Sequence, residues 1–392
     1  MDLVKFALLF GMWRAVFVLH DGVELPVIFE VKQDDHGHYE FVLMNGRERI
    51  NVNEIAIHDD SITIKLPIFD TEISGTFNTN RIDGNFINHS RTTDNIIPFH
   101  ATFGPDNRFH TRNRKPSINL TDSWEVHFSQ GTKDSSVAIG EFLQHDDHLE
   151  GTFLTPSGDF RYLEGFVDDS TFGLSSFDGA HLFLFMGKMK PDGTLAANFW
   201  SGAHWKEPWI ARHNKDFDLP DEYSLTHLKP GYDKIAFRFP DLDSNMVSLT
   251  DERFQNKVVI LQLMGSWCPN CMDETIFLNQ IYNKYHSRGV EIAGLAFEKT
   301  GEFQKAKSNI LRLKERLNVP YPILIAGTSA KEDAIKKLPM LDNIYAYPTT
   351  ILIDKNGNLR EIHTGYSGPA TGDYYKKFVD EFNSTLQSML SE

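Results

Sequence analysis

The stretch Trp267-Cys268-Pro269-Asn270-Cys271 holds the only two cysteines in a chain of 392 residues. It directly follows Val258-Val259-Ile260-Leu261-Gln262-Leu263-Met264, an apolar run that is typical of a buried strand. Two cysteines separated by two residues at a helix start lie close enough to form a small disulfide. The field at the helix N-terminus also favours a thiolate on the first cysteine. The pattern therefore predicts a redox-active dithiol.

Two structural alternatives to a redox couple can be weighed from the same residues. A zinc site usually needs four ligands, commonly two Cys-x-x-Cys pairs or one such pair with a spaced histidine pair, and the sequence has no second cysteine pair. A purely structural disulfide normally closes a longer loop, because constraining so few residues removes little entropy from the unfolded chain. The redox interpretation is favoured over both, and we expect no metal and no cofactor.

Length and composition limit the classes of protein to consider. The chain exceeds one ordinary domain, and an apolar content of 41% with 12% aromatic residues supports substantial cores. The formal net charge is −15, from 54 acidic and 39 basic residues, and no basic cluster occurs. This balance argues against nucleic acid as a partner.

The amino-terminal stretch Lys5-Phe6-Ala7-Leu8-Leu9-Phe10 has one positive charge and a short apolar run without a cleavage site of the Ala-x-Ala type. No apolar run approaches the roughly 20 residues that a membrane helix requires. We expect a periplasmic or cell-envelope location, which a truncated or mis-started export signal would explain, with the cytoplasm as the alternative. Membrane association is expected only if an export or anchor signal is missing from this chain.

The amino-terminal half has the pattern of an all-β domain. From Trp13 to about Trp209, short alternating segments are separated by hairpin-type dipeptides such as Asp21-Gly22 and Asn45-Gly46. This pattern predicts an all-β barrel or sandwich over residues 1–214. Because Trp13 and Trp124 each open a strand-like run, a duplicated unit with β subdomains at 1–120 and 121–214 is an option.

The pattern changes after residue 214. Residues 215–234 contain two prolines and several charges but no period, and we interpret them as a linker. From residue 235 to 392, strands such as Val290 to Phe297 alternate with segments of helical spacing, and Tyr347-Pro348-Thr349-Thr350 leads into a further strand and hairpin. We predict an α/β domain with a central sheet.

This order of elements resembles a thioredoxin fold over about residues 235–392. The run Gly265-Ser266-Trp267-Cys268-Pro269-Asn270-Cys271-Met272-Asp273-Glu274 is similar to the TlpA/ResA branch of the redoxin family of thioredoxin-like thiol-disulfide oxidoreductases. The similarity includes the glutamate three residues after the second cysteine. The β-rich half resembles an amino-terminal extension that some TlpA-like proteins carry.

The resemblance implies a role for each residue of the motif. Cys268 would be the attacking thiolate that forms a mixed disulfide with the substrate, and Cys271 would resolve it. Pro348 would follow a cis peptide bond beside the dithiol and leave neighbouring backbone groups free to pair with an extended substrate; otherwise it is a simple turn proline. Trp267 would shield the site, although an isolated aromatic residue could equally belong to the core.

Two carboxylates are candidates for proton transfer. Glu298 closes the strand from Val290, and the resemblance implies that it lies beneath the dithiol, where it could accept the proton of Cys271. Glu274 is the weaker candidate, because three residues beyond Cys271 it could face solvent and merely suit the helix dipole. The branch often has proline soon after this glutamate, whereas this chain has Thr275.

The function predicted from these features is thiol-disulfide exchange, with reduction of protein disulfides favoured by the resemblance. The expected partners are a disulfide-containing protein substrate and an upstream thiol electron donor. One alternative is a redox-sensing binding protein whose β domain captures a partner. A thiol peroxidase is less favoured, because its usual Pro-x-x-x-Thr-x-x-Cys pattern is absent before Cys268.

Overall fold

The structure is a computed structural model, and it describes residues 7–104, 107–112 and 114–392. The chain divides into two compact units, the first comprising Met1–Phe153 with Tyr162–Phe217 and the second comprising Leu154–Arg161 with Asp218–Glu392. Lys5 and Phe6 of the apolar amino-terminal stretch lie outside the described residues. Within the described ranges, no helix combines the length and the apolar character that a membrane crossing requires.

The first nine strands form one antiparallel sheet with the order β4-β3-β2-β1-β9-β8-β7-β6-β5. They are β1 (Gly11–Val18), β2 (Glu24–Gln33), β3 (Tyr39–Asn45), β4 (Glu48–Val52), β5 (Glu54–His58), β6 (Ser61–Lys65), β7 (Thr71–Asn78), β8 (Arg81–Asn88) and β9 (Ile96–Phe103). In β6, the isoleucines at 62 and 64 are buried while both end residues are exposed. This alternation is what a sheet with one buried face requires.

The next nine strands form a second sheet with the order β11-β10-β18-β17-β16-β15-β14-β12-β13. They are β10 (Asp122–Phe128), β11 (Ser136–His145), β12 (His148–Thr155), β13 (Gly158–Asp159), β14 (Leu163–Asp168), β15 (Thr171–Phe177), β16 (Leu182–Met189), β17 (Leu195–Ser201) and β18 (Trp205–His213). Strand β11 also pairs with β12, so this sheet closes in a barrel-like manner. The amino-terminal region is therefore β-rich, as the sequence predicts.

One local feature repeats in the two sheets. Trp13 lies in β1 and donates its indole N–H to the carbonyl oxygen of Leu9, four residues earlier, at 2.9 Å. Trp124 lies in β10 and donates to the carbonyl oxygen of Leu120 in the same way, also at 2.9 Å. Strand β1 pairs with β9, and β10 pairs with β18; each partner is the last strand of that sheet in chain order. The first strand of each sheet therefore has the same local arrangement, and the duplicated β unit stays a prediction.

The second unit contains a mixed five-stranded sheet and four helices. Its strands are β21 (Val258–Met264), β22 (Val290–Glu298), β23 (Ile323–Thr328), β24 (Thr349–Ile353) and β25 (Leu359–Thr364), preceded by a two-stranded sheet of β19 (Arg238–Pro240) and β20 (Met246–Ser248). The helices are α1 (Pro269–Tyr285), α2 (Phe303–Arg316), α3 (Lys331–Lys337) and α4 (Asp373–Ser391). The sheet order is β23-β22-β21-β24-β25, with β21, β22 and β23 parallel and the last two strands antiparallel to their neighbours.

Strand β21 is central and is buried at every position. It pairs with β22 on one side and with β24 on the other, which explains why its sequence is a continuous apolar run rather than an alternating one. Gln262 is the one polar residue in this strand, and only 1% of its surface is exposed. A buried amide at the centre of a sheet requires hydrogen-bond partners, and these lie in the site described below.

The stretch predicted to be a linker makes ordered contacts of its own. Leu228 forms a β-bridge with Leu341. The backbone N–H of Lys229 donates to the carbonyl oxygen of Met340 at 2.8 Å, and Asp342 returns a hydrogen bond to the carbonyl oxygen of His227 at 2.9 Å. The chain from Asp218 onward is therefore part of the second unit.

Candidate active site

The dithiol lies where the central strand passes into the first helix. Strand β21 ends at Met264, and Cys268 is the N-cap residue of α1, with Pro269 at the first helical position. Proline suits this position because its fixed φ matches the helix and its missing N–H would have no intrahelical partner. A disulfide joins Cys268 and Cys271.

The two cysteines have different surroundings. Cys268 is 4% exposed and Cys271 is 0% exposed. The Sγ atom of Cys268 accepts a hydrogen bond from the backbone N–H of Cys271 at 3.2 Å, and it lies 3.5 Å from the carbonyl oxygen of Tyr347. An N–H donor and the positive end of the α1 dipole both stabilise negative charge on sulfur. These two features would favour a thiolate on Cys268 once the disulfide is reduced.

Trp267 and the segment before β24 border the Cys268 side of the dithiol. The peptide bond between Tyr347 and Pro348 is cis. Trp267 is half-buried and donates its indole N–H to the carbonyl oxygen of Phe297 at 3.0 Å. Its ring meets the Tyr347 ring edge-on with centroids 5.8 Å apart, and the ammonium group of Lys299 lies 4.9 Å from its centroid. Trp267 and Pro348 thus lie beside the cysteines.

Glu274 is buried inside the second unit, with only 1% of its surface exposed. Its Oε1 accepts a hydrogen bond from the hydroxyl of Thr350 at 2.8 Å, and its Oε2 accepts one from the amide of Gln262 at 2.9 Å. Burial raises the pKa of Glu274 to about 7, because two neutral donors only partly offset the loss of hydration. The alternative of a solvent-facing acid that merely suits the helix dipole is wrong.

A hydrogen-bonded group that the sequence analysis missed connects Glu274 to the cysteine turn. The Gln262 amide also donates to the carbonyl oxygen of Cys271, at 3.1 Å. The Thr275 hydroxyl oxygen lies 2.7 Å from that same carbonyl oxygen and 3.1 Å from Gln262 Oε1. The signal for Gln262 was present in the sequence, because it interrupts an otherwise apolar strand. Thr275 and Thr350 carried no comparable local signal.

Glu298 ends β22 and is also buried, with 1% of its surface exposed. Its carboxylate accepts the backbone N–H of Ser266 at 2.8 Å and the Ser266 hydroxyl at 2.7 Å. Burial raises the pKa of Glu298, while these two hydrogen bonds act in the opposite direction. This carboxylate therefore holds the turn that leads from β21 to Trp267.

The residues expected to act together occupy one region of the second unit. Around the disulfide lie Trp267, Glu274, Glu298 and the segment that contains Pro348. Throughout the described residues, no group of three or more histidine, cysteine, aspartate or glutamate side chains could hold a metal ion. The region contains a dithiol, two buried carboxyl groups, and backbone donors and acceptors. These are the groups that thiol-disulfide exchange requires.

Comparison with known proteins bears on the carboxy-terminal region. A protein-family model described as Redoxin matches residues 231–377. The chain is 34% identical over 129 residues to the thiol-disulfide oxidoreductase ResA of Geobacillus thermodenitrificans (strain NG80-2), covering 33% of this chain and 66% of that protein. It is 31% identical over 134 residues to the thiol-disulfide oxidoreductase ResA of Bacillus thuringiensis (strain Al Hakam), covering 34% of this chain and 69% of that protein.

Among solved structures, a thiol:disulfide interchange protein of the thioredoxin family from Chlorobium tepidum TLS matches 40% of this chain and 95% of its own, with 21% identity and a TM-score of 0.31. The chain covers 66% of the length of the Geobacillus relative, just under two thirds. The predicted thioredoxin-like domain is confirmed by the redoxin match. The chain belongs to the redoxin family, in the branch of the ResA thiol-disulfide oxidoreductases.

Proposed function

We propose that this protein reduces disulfides in other proteins through the dithiol of Cys268 and Cys271. The observation that carries the proposal is the unequal environment of the two sulfurs. Cys268 Sγ accepts an N–H at the helix start, whereas Cys271 is fully buried behind it. The first arrangement suits an attacking thiolate, and the second suits a resolving thiol that reacts only after the first step.

The proposed reaction has two exchange steps. The Cys268 thiolate attacks one sulfur of a substrate disulfide, forms a mixed disulfide and expels the other substrate sulfur as a thiolate, which then takes a proton. Cys271 loses its proton and attacks the Cys268 sulfur, which closes the enzyme disulfide and releases the second substrate sulfur. Two electrons pass to the substrate. An upstream thiol donor must therefore reduce the enzyme before each new cycle.

We propose Glu274 as the group that takes the proton of Cys271. It lies three residues after Cys271 on α1, a spacing that brings two side chains to the same helix face. A carboxyl group with a pKa of about 7 exchanges protons readily at neutral pH. Glu298 is assigned a supporting role instead, because its hydrogen bonds go to Ser266 and Asn309.

The substrate is proposed to bind as an extended segment beside Tyr347 and Pro348. The carbonyl oxygen of Tyr347 lies 3.5 Å from Cys268 Sγ, so a backbone that pairs with this segment would bring its disulfide to the reactive sulfur. Trp267 borders the same side of the dithiol and would shield the mixed disulfide from water. These contacts involve backbone atoms and a ring, which supports a broad range of protein substrates.

The amino-terminal region and the location of the protein complete the proposal. We propose that residues 1–214 form two barrel-like subdomains, 1–120 and 121–214, which the closing pair β11 and β12 supports for the second one.

A periplasmic or cell-envelope location is proposed because disulfides persist in oxidising compartments, where a reductase meets its substrates. Cell fractionation with thiol alkylation of the recovered protein tests the location.

Reduction of insulin by dithiothreitol tests the activity, with three proteins compared at equal concentration. The wild-type protein should accelerate the reaction, and Cys268→Ser should reduce the rate to that of dithiothreitol alone. Cys271→Ser should accumulate a mixed disulfide that mass spectrometry assigns to Cys268. Full activity in Cys268→Ser, or peroxide consumption in place of insulin reduction, would contradict the proposed function.

A further inference from the structure

The second unit includes a short segment, Leu154–Arg161, that lies far outside the region matched by the redoxin family model. Gly158 in this segment packs directly against Asn270, one of the two residues between the cysteines. A Cβ atom added to Gly158 would lie 1.9 Å from the side-chain nitrogen of Asn270. A larger residue here would force the Asn270 side chain to move, and the φ of +136° at Gly158 is one that other residues rarely adopt.

Arg161 ends the segment and brings a buried cation to the start of α1. Its side chain is 9% exposed. One guanidinium nitrogen, Nη1, lies 3.4 Å from the carbonyl oxygen of Pro269, the residue that follows Cys268, and 3.3 Å from Asp273 Oδ1. The Asp273 side chain is 13% exposed. The pair is therefore shielded from bulk water. Charges in such a buried environment interact more strongly than charges at a surface.

The segment is held in place by a second carboxylate. Asp159 accepts the backbone N–H of Arg161 through Oδ1 and the backbone N–H of Gly368 through Oδ2, each at 2.5 Å. Gly368 follows β25, the last strand of the sheet. The Asp159 carboxylate therefore connects its own segment to the chain after β25, and it also holds the backbone of Arg161. The guanidinium group thus has a fixed position relative to the helix start.

We propose that Arg161 is a positioning residue that stabilises the Cys268 thiolate through the charge balance at the first turn of α1. The inference rests on the proposed function, and it assigns part of the reactivity to a residue outside the family match. The guanidinium charge favours the thiolate, whereas the carboxylate of Asp273 disfavours it. Other charged or titratable groups near the dithiol or the Arg161–Asp273 pair are Glu274, Glu298, Lys299, Asp159, Tyr347 and Tyr366.

The test compares substitutions of opposite electrostatic sign in the reduced full-length protein. Arg161→Gln should raise the pKa of the Cys268 thiol and slow its alkylation by iodoacetamide at pH 6 about fivefold. Asp273→Asn should lower that pKa and speed alkylation by a similar factor, and the double variant should return close to the wild-type rate. Arg161→Lys, which keeps the charge, should retain most of the wild-type rate.

The matched control is Arg253→Gln. Arg253 Nη2 lies 3.8 Å from Glu291, which pairs with Val259 at the opposite end of β21 from the dithiol. This variant should leave the alkylation profile unchanged. Mass spectrometry assigns the adduct to Cys268, and a melting curve for each variant records any loss of folding.

The outcomes separate the inference from the proposed function. Equal slowing by Arg161→Gln and Asp273→Asn would mean that the pair acts through packing alone, and it would overturn the inference. An unchanged profile in both variants would overturn it as well. In either case a reactive Cys268 and normal insulin reduction would leave the proposed function intact. If the wild-type Cys268 is itself unreactive, the proposed function fails first.

Discussion

Two glutamates, one in each unit, have opposite surroundings. Glu164 in β14 has a side chain that is 25% exposed, and Arg108 Nη2 lies 2.7 Å from its Oε2 while His148 Nε2 lies 3.1 Å from its Oε1. Glu274 in α1 is 1% exposed and has two neutral donors, Thr350 and Gln262. One carboxyl group has cationic partners, and the other has none among the residues that the structure describes.

The difference decides what each carboxyl group can do. Burial alone would raise the pKa of Glu164, but the hydrogen bond from His148 and the charge of Arg108 outweigh it and lower that pKa to about 2. Burial of Glu274 without a cation raises its pKa to about 7. Partner charge, more than burial, therefore separates a fixed anion from a group that exchanges protons at neutral pH.

The largest expected effect comes from removing the cation beside Glu164. Arg108→Met leaves that carboxylate without its buried partner, and it should lower the free energy of unfolding at pH 7 by about 3 to 5 kcal/mol. Denaturant unfolding of the first unit measures the loss. Arg81→Met is the control, because Arg81 and Asp83 form an exposed pair that should contribute at most about 1 kcal/mol. Equal losses in the two variants would mean that the buried Arg108 contributes no more to stability than an exposed ion pair does.

The next effect is a difference in how stability depends on pH. The folded state raises the pKa of Glu274 from 4.5 to about 7, so it binds more protons than the unfolded state between these values. The contribution of Glu274 to the free energy of unfolding is therefore fully present below pH 4.5. It is lost as pH rises through 7, by up to about 3 kcal/mol. Glu274→Gln should remove this loss, as measured by unfolding at pH 5 and pH 8 with the disulfide intact.

Glu164 supplies the matched control with the opposite sign. Its pKa is lowered from 4.5 to about 2, so its contribution to stability is present above pH 4.5 and is lost as pH falls toward 2. Glu164 also raises the pKa of His148, so Glu164→Gln is made in a His148→Asn background. In that background it should leave the change between pH 5 and pH 8 as it is and should alter only the acid range. If both variants alter the same pH range, the two carboxyl groups do not have pKa values shifted in opposite directions.

A smaller effect is expected on turnover. Glu274→Gln should slow insulin reduction about a hundredfold near pH 7, which is the lower end of the range for general acid–base catalysis. The rate should also lose its inflection near the pKa of Glu274. Glu164→Gln should keep the wild-type rate. A wild-type rate in both variants would show that Glu274 carries no proton in the cycle.

The smallest expected effect concerns the hydrogen bond from Thr350 to the Glu274 carboxylate. Thr350→Val removes the hydroxyl that donates to its carboxylate, so the pKa should rise further and the inflection in the pH–rate profile should move up by about one unit. Thr349→Val is the control, because the Thr349 hydroxyl donates to the carbonyl oxygen of Ala346 instead, at 2.8 Å. An inflection that moves equally in both variants would point to a general change in packing.

Local patterns were sufficient to predict the strand before the dithiol and the helix that begins at it. The apolar run Val258–Met264 is strand β21, and Pro269 begins the helix that follows Cys268. These features follow from burial on both sheet faces and from the preference for proline at a first helical position, which neighbouring residues alone determine. The same holds for the strand that ends at Glu298.

Contacts between residues distant in sequence could not be predicted in this way. The burial of Glu274 depends on Thr350, which is 76 positions away, and the approach of Arg161 to Asp273 depends on a segment more than a hundred residues earlier. No periodicity encodes such pairs. The stretch at 215–234 has no period either, although its backbone bonds to the segment around Leu341. Absence of a pattern therefore did not mean absence of structure.

The central claim is that Cys268 and Cys271 form a reducing redox couple. Its most direct test is the reduction potential, obtained by equilibrating the protein in dithiothreitol or glutathione buffers and counting free thiols, with Cys271→Ser as the control. A reductant should have a value near the roughly −270 mV of thioredoxin. A value near the roughly −120 mV of a strong periplasmic oxidant, or failure of the Cys268–Cys271 disulfide to form, would contradict the claim.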